Sequence, residues 1–247
     1  MKKAIFTGMH GTVAPVVAKT FESYGITTIT YDRELVPVDQ PQVIENFLLT
    51  HQPDILLHFA MGSPEWAKTL ANLCAKLNIV FVYISTVSVY DAKTAGPYAV
   101  NTIADAKDQY GSYKRQSEIL VLEANPLSYI LRLSWQIGDA PGSNQMIDFL
   151  KKEMDQKGVV FASSKWYPSV TFITDTADMI YYIVTTQSPD LYLLNSNDQY
   201  SFYDIVTHLK TIHPWIDVKE SQDFVADMRM IDDRVPIRKL SSYIHSL

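Results

Sequence analysis

The sequence predicts an α/β protein built around a doubly wound parallel sheet. Apolar, strand-like runs alternate along the chain with helix-like segments about as long as a crossover helix. The strand-like runs are continuous in Ile, Val, Leu and Phe, as expected for strands that helices cover on both faces. A turn that contains Gly8 and Gly11 separates the first strand-like run from the first helix-like segment.

Apolar periodicity defines the individual elements. The predicted strands of the sheet comprise residues 3–6, 27–31, 55–58, 80–85, 128–133 and 191–194. Segments with apolar residues at helical spacing predict helices over residues 16–23, 42–49, 65–77, 109–123 and 175–185. Ser63, which precedes a proline, predicts the start of the third helix, and Thr174 with Asp175 predicts the cap of the fifth.

The turn after the first strand has the composition of a phosphate-binding loop. Gly8 allows backbone angles closed to other residues, and Gly11 lets the main chain approach an anion closely. The following helix would present unpaired N–H groups at its N-terminus. Ala14 stands where a third glycine is common, and Asp32 ends the second strand, as in dinucleotide-binding folds. The turn alone is also compatible with an ordinary tight turn.

The chain is predicted to divide near Pro141 and Gly142. Residues 1–140 form the predicted nucleotide-binding core, which residues 170–195 complete. Residues 141–169 and 196–247 form a smaller, less regular region. There we predict helices at 146–156 and 201–212 and a strand at 159–162, and the pattern alone assigns no secondary structure to the tail from residue 220 onward.

The composition indicates one large apolar core, since 47% of the 247 residues are hydrophobic and 19% are charged. A formal net charge of −6 gives no electrostatic reason to expect nucleic acid as a partner. No signal-peptide pattern opens the chain, and no apolar run approaches the roughly 18 residues of a membrane helix. The single cysteine, Cys74, lies in an apolar helical pattern and is predicted to be buried. We therefore expect a cytoplasmic protein without nucleic-acid or membrane partners.

Tyr110 and Lys114 are candidate catalytic residues because their spacing places both on one face of a helix. A tyrosine has an ordinary pKa of about 10, and a nearby ammonium favours the phenolate. We therefore expect a lowered pKa for Tyr110. A surface aromatic beside a lysine is the alternative. The hydroxyls of Ser85 and Thr86 favour the catalytic interpretation, because they end the fourth strand where a parallel sheet binds its ligands.

Several motifs follow one another in order along most of the chain. They are Thr7-Gly8-Met9-His10-Gly11, Gln52-Pro53-Asp54, His58-Phe59-Ala60, Tyr83-Ile84-Ser85-Thr86, Tyr110 with Lys114, Ile130-Leu131-Arg132-Leu133-Ser134-Trp135, Leu193-Leu194-Asn195-Ser196 and Ser201-Phe202-Tyr203. In this order they resemble the extended short-chain dehydrogenase/reductase superfamily, and within it most closely the dTDP-4-dehydrorhamnose reductase family. The resemblance implies a Rossmann-type core with a small C-terminal substrate-binding region.

The resemblance further implies an oxidoreductase that uses NAD or NADP and reduces a keto group on a sugar or sugar nucleotide. Thr86 would orient the carbonyl, Tyr110 would donate the proton, and Lys114 would hold the nicotinamide ribose. Ser88 and Trp135 would join Thr86 in contacting the substrate. The cofactor contacts would come from Gly8, Met9, His10, Gly11, Thr12, Asp32, Arg33, Asp39, Ala60, Met61 and Lys114. We assign no metal ligands, and the resemblance leaves a homodimer open.

Two segments depart from the family pattern. The loop at residues 61–66 is short and places Trp66 where the family has an asparagine, and residues 164–169 replace a Gly-Ser-Pro-Thr type of run. Two alternatives therefore stay open. One is an NAD-dependent sugar-nucleotide epimerase or dehydratase, although Val87 and Ser88 offer no extra carboxylate. The other is a cofactor-binding regulatory protein of the same fold without turnover, although such a protein has no need of the three candidate catalytic residues.

Two neighbouring residues bear on the choice between NAD and NADP. Asp32 can accept hydrogen bonds from the ribose hydroxyls of NAD and would repel a 2′-phosphate. Arg33 can bind that phosphate or stack on the adenine. The residue at the strand end usually faces the ribose, whereas the next side chain can rotate into solvent. The sequence therefore favours NAD weakly.

Overall fold

The structure is a computed structural model that describes residues 2–244. In this part of the chain the strands, in order, are β1 Lys3–Thr7, β2 Thr27–Thr30, β3 Ile55–His58, β4 Val80–Thr86, β5 Tyr98–Ala99, β6 Tyr129–Leu133, β7 Trp135–Ile137, β8 Val160–Ser163, β9 Trp166–Tyr167, β10 Val170–Phe172, β11 Leu191–Leu194, β12 Val218–Ser221, β13 Ala226–Asp227 and β14 Met230–Ile231. The helices are α1 Ala14–Ser23, α2 Pro41–His51, α3 Pro64–Leu77, α4 Gln109–Ala124, α5 Met146–Lys157, α6 Ile173–Thr186 and α7 Phe202–Ile212. Short 3₁₀ turns occur at Val87–Val89 and Leu240–Ser242.

Six of the strands form one parallel sheet in the order β11-β6-β4-β3-β1-β2. The chain runs from β1 outward to β2 and then crosses to β3 on the other side of β1. The order therefore reverses between β1 and β3, and ligands of open parallel sheets bind at such a switch point, outside the carboxyl ends of the strands. The predicted α/β fold with a doubly wound parallel sheet is confirmed.

Each face of the sheet buries its own set of side chains. Helices α1 and α6 pack on one face around Phe6 and Phe21, and α2, α3 and α4 pack on the other around Ile5 and Trp66. Successive residues of a strand point to opposite faces, so both sets of strand residues must be apolar. This two-sided burial explains the continuous apolar runs in the sequence.

Four further parallel strand pairs lie outside the main sheet, β7 with β10, β8 with β12, β9 with β13 and β5 with β14. The C-terminal region contributes strands to the last three of these pairs. Its apolar cluster lies between α5 and α7 and includes Met146, Leu150, Phe202 and Leu209. Ser201 caps α7 in a reciprocal capping box with Asp204. Residues beyond position 170 form strand β11, which completes the main sheet, and helix α6, which packs against it. The division of the chain into two regions stays a prediction.

The predicted strands and helices are all present, with end points that differ by a few residues. The cap at Thr174 and Asp175 was expected and is wrong, because α6 begins at Ile173 with Phe172 in the capping position. The Asp175 carboxylate instead accepts hydrogen bonds from the Tyr243 hydroxyl at 2.7 and 2.9 Å. Within residues 2–244, no helix is both long and apolar enough to cross a membrane.

Cys74 is fully buried in α3, as predicted, and burial raises the pKa of its thiol. Because the thiolate is the reactive form, we expect Cys74 to resist alkylation in the native protein. Mass spectrometry after treatment with N-ethylmaleimide should show a modified chain only when denaturant is present. Rapid stoichiometric labelling of the native protein would show that this part of α3 opens readily.

Candidate active site

The turn between β1 and α1 is built for close backbone packing. Gly8 has a φ of +78°, and its carbonyl accepts a hydrogen bond of 2.8 Å from the Gly11 N–H. A Cβ atom on Gly8 would lie 2.9 Å from the Ala60 nitrogen, so no side chain fits where β1 meets the end of β3. A Cβ atom on Gly11 would lie 3.1 Å from the Gly8 carbonyl oxygen. Steric crowding therefore explains why glycine occupies both positions.

A buried hydroxyl holds this turn to the neighbouring strand. Thr7 Oγ1 accepts hydrogen bonds of 3.0 Å from the N–H groups of both Phe59 and Ala60. It also lies 2.9 Å from His58 Nδ1. Burial, together with the positive charges of Lys114 and Arg33, lowers the pKa of His58 to about 3. The imidazole is therefore neutral, and since Thr7 Oγ1 accepts from two N–H groups, its own proton is available to His58 Nδ1.

The N-terminus of α1 faces the same cleft as the glycines. Val13 occupies its capping position, and neither a side-chain hydrogen bond nor an acidic residue in the first turn neutralises the helix end. The helix dipole gives this end of α1 a partial positive charge. Gly11, Thr12 and Ala14 line the cleft, which has a volume of about 600 Å³. These features fit a bound pyrophosphate.

Thr86 and Tyr110 meet on the opposite side of this cleft. Thr86 ends β4, and its hydroxyl lies 3.3 Å from the Ser88 hydroxyl and accepts the Ser88 N–H at 3.2 Å. Tyr110 lies in the first turn of α4, which Asp108 caps through hydrogen bonds to two backbone N–H groups. Burial raises the pKa of Tyr110, while a hydrogen bond with Thr86 lowers it. The two hydroxyls are thus close enough to contact one carbonyl oxygen.

The expected lowering of the Tyr110 pKa is wrong. Loss of solvent around the phenol outweighs the favourable hydrogen bond, so the pKa is raised. Lys114 is 4% exposed, and its ammonium donates a 2.8 Å hydrogen bond to the carbonyl of Ile84. Burial lowers the pKa of Lys114 to about 8, whereas the negative charge of Glu118 opposes that shift. At neutral pH the structure therefore combines a protonated phenol with a lysine that is mainly charged.

The structure brings most of the predicted site residues into one cleft. Those that line it are Gly8, Gly11, Thr12, Met61, Thr86, Ser88, Tyr110, Lys114 and Trp135. Ala60 lies beneath the lining, where it contacts Thr7. His10, Asp32 and Asp39 are exposed outside the lining, and Met9 packs partly against the core. Their roles as cofactor ligands stay predictions.

Arg33 lies outside the cleft lining but contacts the loop after β3. Its guanidinium donates to the Met61 carbonyl at 3.2 Å and lies 6.0 Å from the centre of the Trp66 ring. From the sequence, the Arg33 side chain could rotate into solvent, whereas in the structure it contacts Met61 and Trp66 of the loop. Asp32 accepts the Glu34 N–H at 2.8 Å and keeps its carboxylate exposed. Both residues therefore remain candidates for contact with an adenosine ribose.

The short loop at residues 61–66 is closely packed. Trp66 is 1% exposed, and its ring makes an edge contact with His58 at a centroid distance of 4.6 Å. A Cβ atom on Gly62 would lie 2.4 Å from the Trp66 ring, and the Gly62 N–H donates to the Tyr113 hydroxyl at 3.2 Å. Trp66 thus fills the space under the loop with an aromatic ring where the family has an amide.

Several lining residues were not predicted from the sequence. They are Val13, Ala14, Phe59, Ile84, Val87, Leu133, Ser134, Gln136 and Asn144. Ser134 and Gln136 follow the carboxyl end of β6, a position that could have indicated them. Ser85 was expected to meet a carbonyl alongside Thr86, but its hydroxyl donates to the Glu118 carboxylate and is buried. Asn144 comes from an irregular loop without a recognisable signal.

Comparison with known proteins identifies related sequences. The family model described as the RmlD substrate-binding domain matches residues 64–211. The spore coat polysaccharide biosynthesis protein SpsK of Bacillus subtilis is 22% identical over 229 residues, which cover 84% of this chain and 78% of the relative. A dTDP-4-dehydrorhamnose reductase of Streptomyces griseus is 22% identical over 193 residues. That match covers 71% of this chain and 63%, a little under two thirds, of the relative.

Solved structures share the fold over nearly the whole chain. A dTDP-4-dehydrorhamnose reductase of Clostridium acetobutylicum superposes with a TM-score of 0.82 at 16% identity, covering 97% of this chain and 96% of that one. The enzyme of the same name from Bacillus anthracis, solved with NADP, gives a TM-score of 0.78 at 16% identity and covers 100% and 94%. At this identity the similarity establishes a Rossmann-type fold.

Replacing Thr7 with Val should destabilise the protein. The change keeps the shape of the side chain but leaves the N–H groups of Phe59 and Ala60 without their acceptor. Each buried unpaired group costs about 1–3 kcal/mol, so we expect the free energy of unfolding to fall by roughly 3 kcal/mol. Urea denaturation measures the difference. Thr7→Ser keeps the hydroxyl and serves as the control, and equal stability of the two variants would contradict the assignment.

Proposed function

Because the chain belongs to the RmlD substrate-binding domain family, we propose that it is an NAD(P)H-dependent reductase of a keto group on a sugar or sugar nucleotide. The observation that carries the proposal is the convergence of Thr86, Tyr110 and Lys114 on the cleft that the glycine turn also lines. A hydroxyl pair, a buried cation and a phosphate-binding turn in one cleft match the needs of carbonyl reduction.

The residues around the turn fit a dinucleotide. Gly8 and Gly11 leave the backbone open to the pyrophosphate, and the uncapped start of α1 attracts its charge. The Lys114 ammonium uses one of its three donors on Ile84 and keeps donors for the nicotinamide ribose. When bound, the reduced nicotinamide supplies the hydride for the carbonyl carbon.

The remaining chemistry is the handling of one proton. The Thr86 hydroxyl orients the substrate oxygen, and the Tyr110 hydroxyl, hydrogen-bonded with Thr86, donates its proton to that oxygen. A raised pKa keeps Tyr110 protonated and ready to act as an acid at neutral pH. The positive charge of Lys114 stabilises the negative charge that Tyr110 acquires after the transfer.

Relatives of the chain include reductases of dTDP-linked keto sugars, which supports a sugar nucleotide as the substrate. Ser88 and Trp135 line the cleft beside Thr86 and are the residues we assign to the sugar. In the described part of the chain no Asp or Glu lines the cleft, whereas epimerases and dehydratases usually need a further acid or base. This observation favours the reductase over that alternative.

The proposal is tested by adding NADH or NADPH and a panel of nucleotide-linked 4-keto sugars and simple ketones. Oxidation of the cofactor, followed by the loss of absorbance of the reduced nicotinamide, should occur with at least one keto sugar. Cofactor binding without any turnover across the panel would instead favour a regulatory protein of the same fold.

Replacing Tyr110 with Phe should lower kcat by about 10²–10⁴-fold, the usual contribution of a general acid, and leave the Kd of the cofactor nearly unchanged. The ring remains and only the proton donor is lost. Tyr113→Phe removes one hydroxyl from the same helix and serves as the matched control. Equal kcat values for the Tyr110→Phe variant and the parent would remove Tyr110 from the mechanism.

Cofactor preference should depend on Asp32 and Arg33. We expect both cofactors to bind, with NADH preferred by less than about tenfold, or roughly 1.4 kcal/mol. Asp32→Ala should shift the ratio of dissociation constants toward NADPH, and Arg33→Ala should shift it toward NADH. Fluorescence titration measures both constants, and Glu34→Ala is the control. Strong NADPH selectivity that survives Arg33→Ala would refute both assignments.

A further inference from the structure

A buried ion pair lies beneath the cleft, outside the residues assigned to the reaction. Arg132 of β6 donates two hydrogen bonds to the Glu118 carboxylate of α4, at 2.9 Å from Nε and 2.6 Å from Nη2. Both side chains are 6% exposed. Arg132 Nη1 also donates to the Tyr90 hydroxyl at 2.6 Å. Glu118 further accepts the hydroxyl of Ser85, so both of its oxygens are engaged.

This ion pair is linked in two ways to the segments that carry the proposed catalytic residues. Ser85 lies between Ile84, whose carbonyl holds the Lys114 ammonium, and Thr86, whose hydroxyl contacts Tyr110. Its hydroxyl joins that stretch of β4 to Glu118 on α4. Glu118 is also one helical turn beyond Lys114, on the same face of α4. A single carboxylate therefore connects the strand and the helix that carry the proposed catalytic groups.

We propose that Glu118 and Arg132 are positioning residues for the reductase. Their buried pair holds Ser85, and through it Ile84 and Thr86, against α4, and keeps a carboxylate near Lys114 that maintains its positive charge in the cleft. This inference rests on the proposed function for its activity readout. Arg132 prevents Glu118 from being an unpaired buried charge, which would be costly.

The charge of Lys114 depends on several neighbours. The Tyr83 ring of β4 and the Tyr113 ring of α4 lie 4.9 and 5.7 Å from its nitrogen, and the neutral His58 of β3 also interacts with it. Burial lowers the pKa of Lys114 to about 8, and Glu118 acts against that shift. Burial alone would lower the pKa of Arg132, but its interactions with Glu118 and Tyr90 together raise that pKa, so Arg132 keeps its charge. Removing the Glu118 charge should therefore lower the Lys114 pKa.

The test is a pH profile of the Glu118→Gln variant. Loss of a neighbouring opposite charge typically lowers the pKa of a cation by about one unit or more. A fall from about 8 to about 7 would reduce the charged fraction of Lys114 roughly fivefold at pH 8 and hardly at all at pH 6. We expect the same pattern in kcat/KM. The alkaline limb of the profile, where activity falls as the pH rises, should lie at lower pH in the variant than in the parent, and at pH 6 the two activities should be similar.

Glu123→Gln is the matched control. Glu123 lies on the same helix and pairs with Lys68 at 3.9 Å, but both side chains are about half exposed. Its pH profile should match that of the parent. Val121→Ala shortens a fully buried side chain of α4 and controls for lost stability, so it should lower the melting temperature without moving the alkaline limb.

If Glu118→Gln does not fold, the double variant Glu118→Gln/Arg132→Met replaces the test. It leaves no unpaired charge, and such replacements of buried pairs are often tolerated. It should show the same displacement of the alkaline limb. An unchanged profile in a folded variant overturns the proposal, and so does an equal loss of activity at every pH, because that result indicates a role in folding alone.

Failure of the proposed function can be distinguished from failure of this inference. If the parent reduces no compound of the panel, the pH dependence of NADH and NADPH dissociation constants still reports the charge of Lys114. The lysine can also be titrated directly by NMR of ¹⁵N-labelled lysine, with the resonance assigned by Lys114→Arg. The Glu118→Gln variant should titrate at lower pH than the parent, and identical titration curves would overturn the proposal.

Discussion

The close approach of β1 to β3 is the constraint on which the cleft depends. A Cβ atom on Gly8 would come within 2.9 Å of the Ala60 backbone, so the two strand ends can meet only because Gly8 has no side chain. The Thr7 hydroxyl then satisfies the N–H groups of Phe59 and Ala60, which the sheet leaves unpaired. The result is a rigid floor at the point where the strand order reverses, and the N-terminus of α1 lies beside it.

Much of the fold could be predicted because its signals are local or periodic. The continuous apolar runs reflect strands buried on both faces, and Ser63 caps α3 through its own side chain. The meeting of Thr86 with Tyr110 and Lys114 could also be predicted. Their strand ends and their helix begins at the carboxyl edge of a parallel sheet, where topology brings distant segments together.

Other features depend on contacts that no local pattern specifies. The cap expected at Thr174 and Asp175 is absent because the Asp175 carboxylate bonds to Tyr243, far along the chain. The pKa of Tyr110 depends on how much water the fold removes from the phenol, which the spacing to Lys114 does not reveal. Ser85 resembles Thr86 in sequence, but consecutive side chains of β4 point to opposite faces of the sheet, and the Ser85 hydroxyl meets Glu118 on α4.

The burial of Arg132 is the strongest physical sign that the region under the cleft is shaped by more than stability. Its strand, Tyr129–Leu133, is otherwise apolar, and buried ion pairs are often no more stabilising than well-packed apolar residues of similar size. Apolar residues in place of both Arg132 and Glu118 could fill the same space. What apolar residues could not provide is a fixed carboxylate one turn from Lys114 and an acceptor for Ser85. The chemistry of the neighbouring cleft therefore accounts for the ion pair better than the needs of the core do.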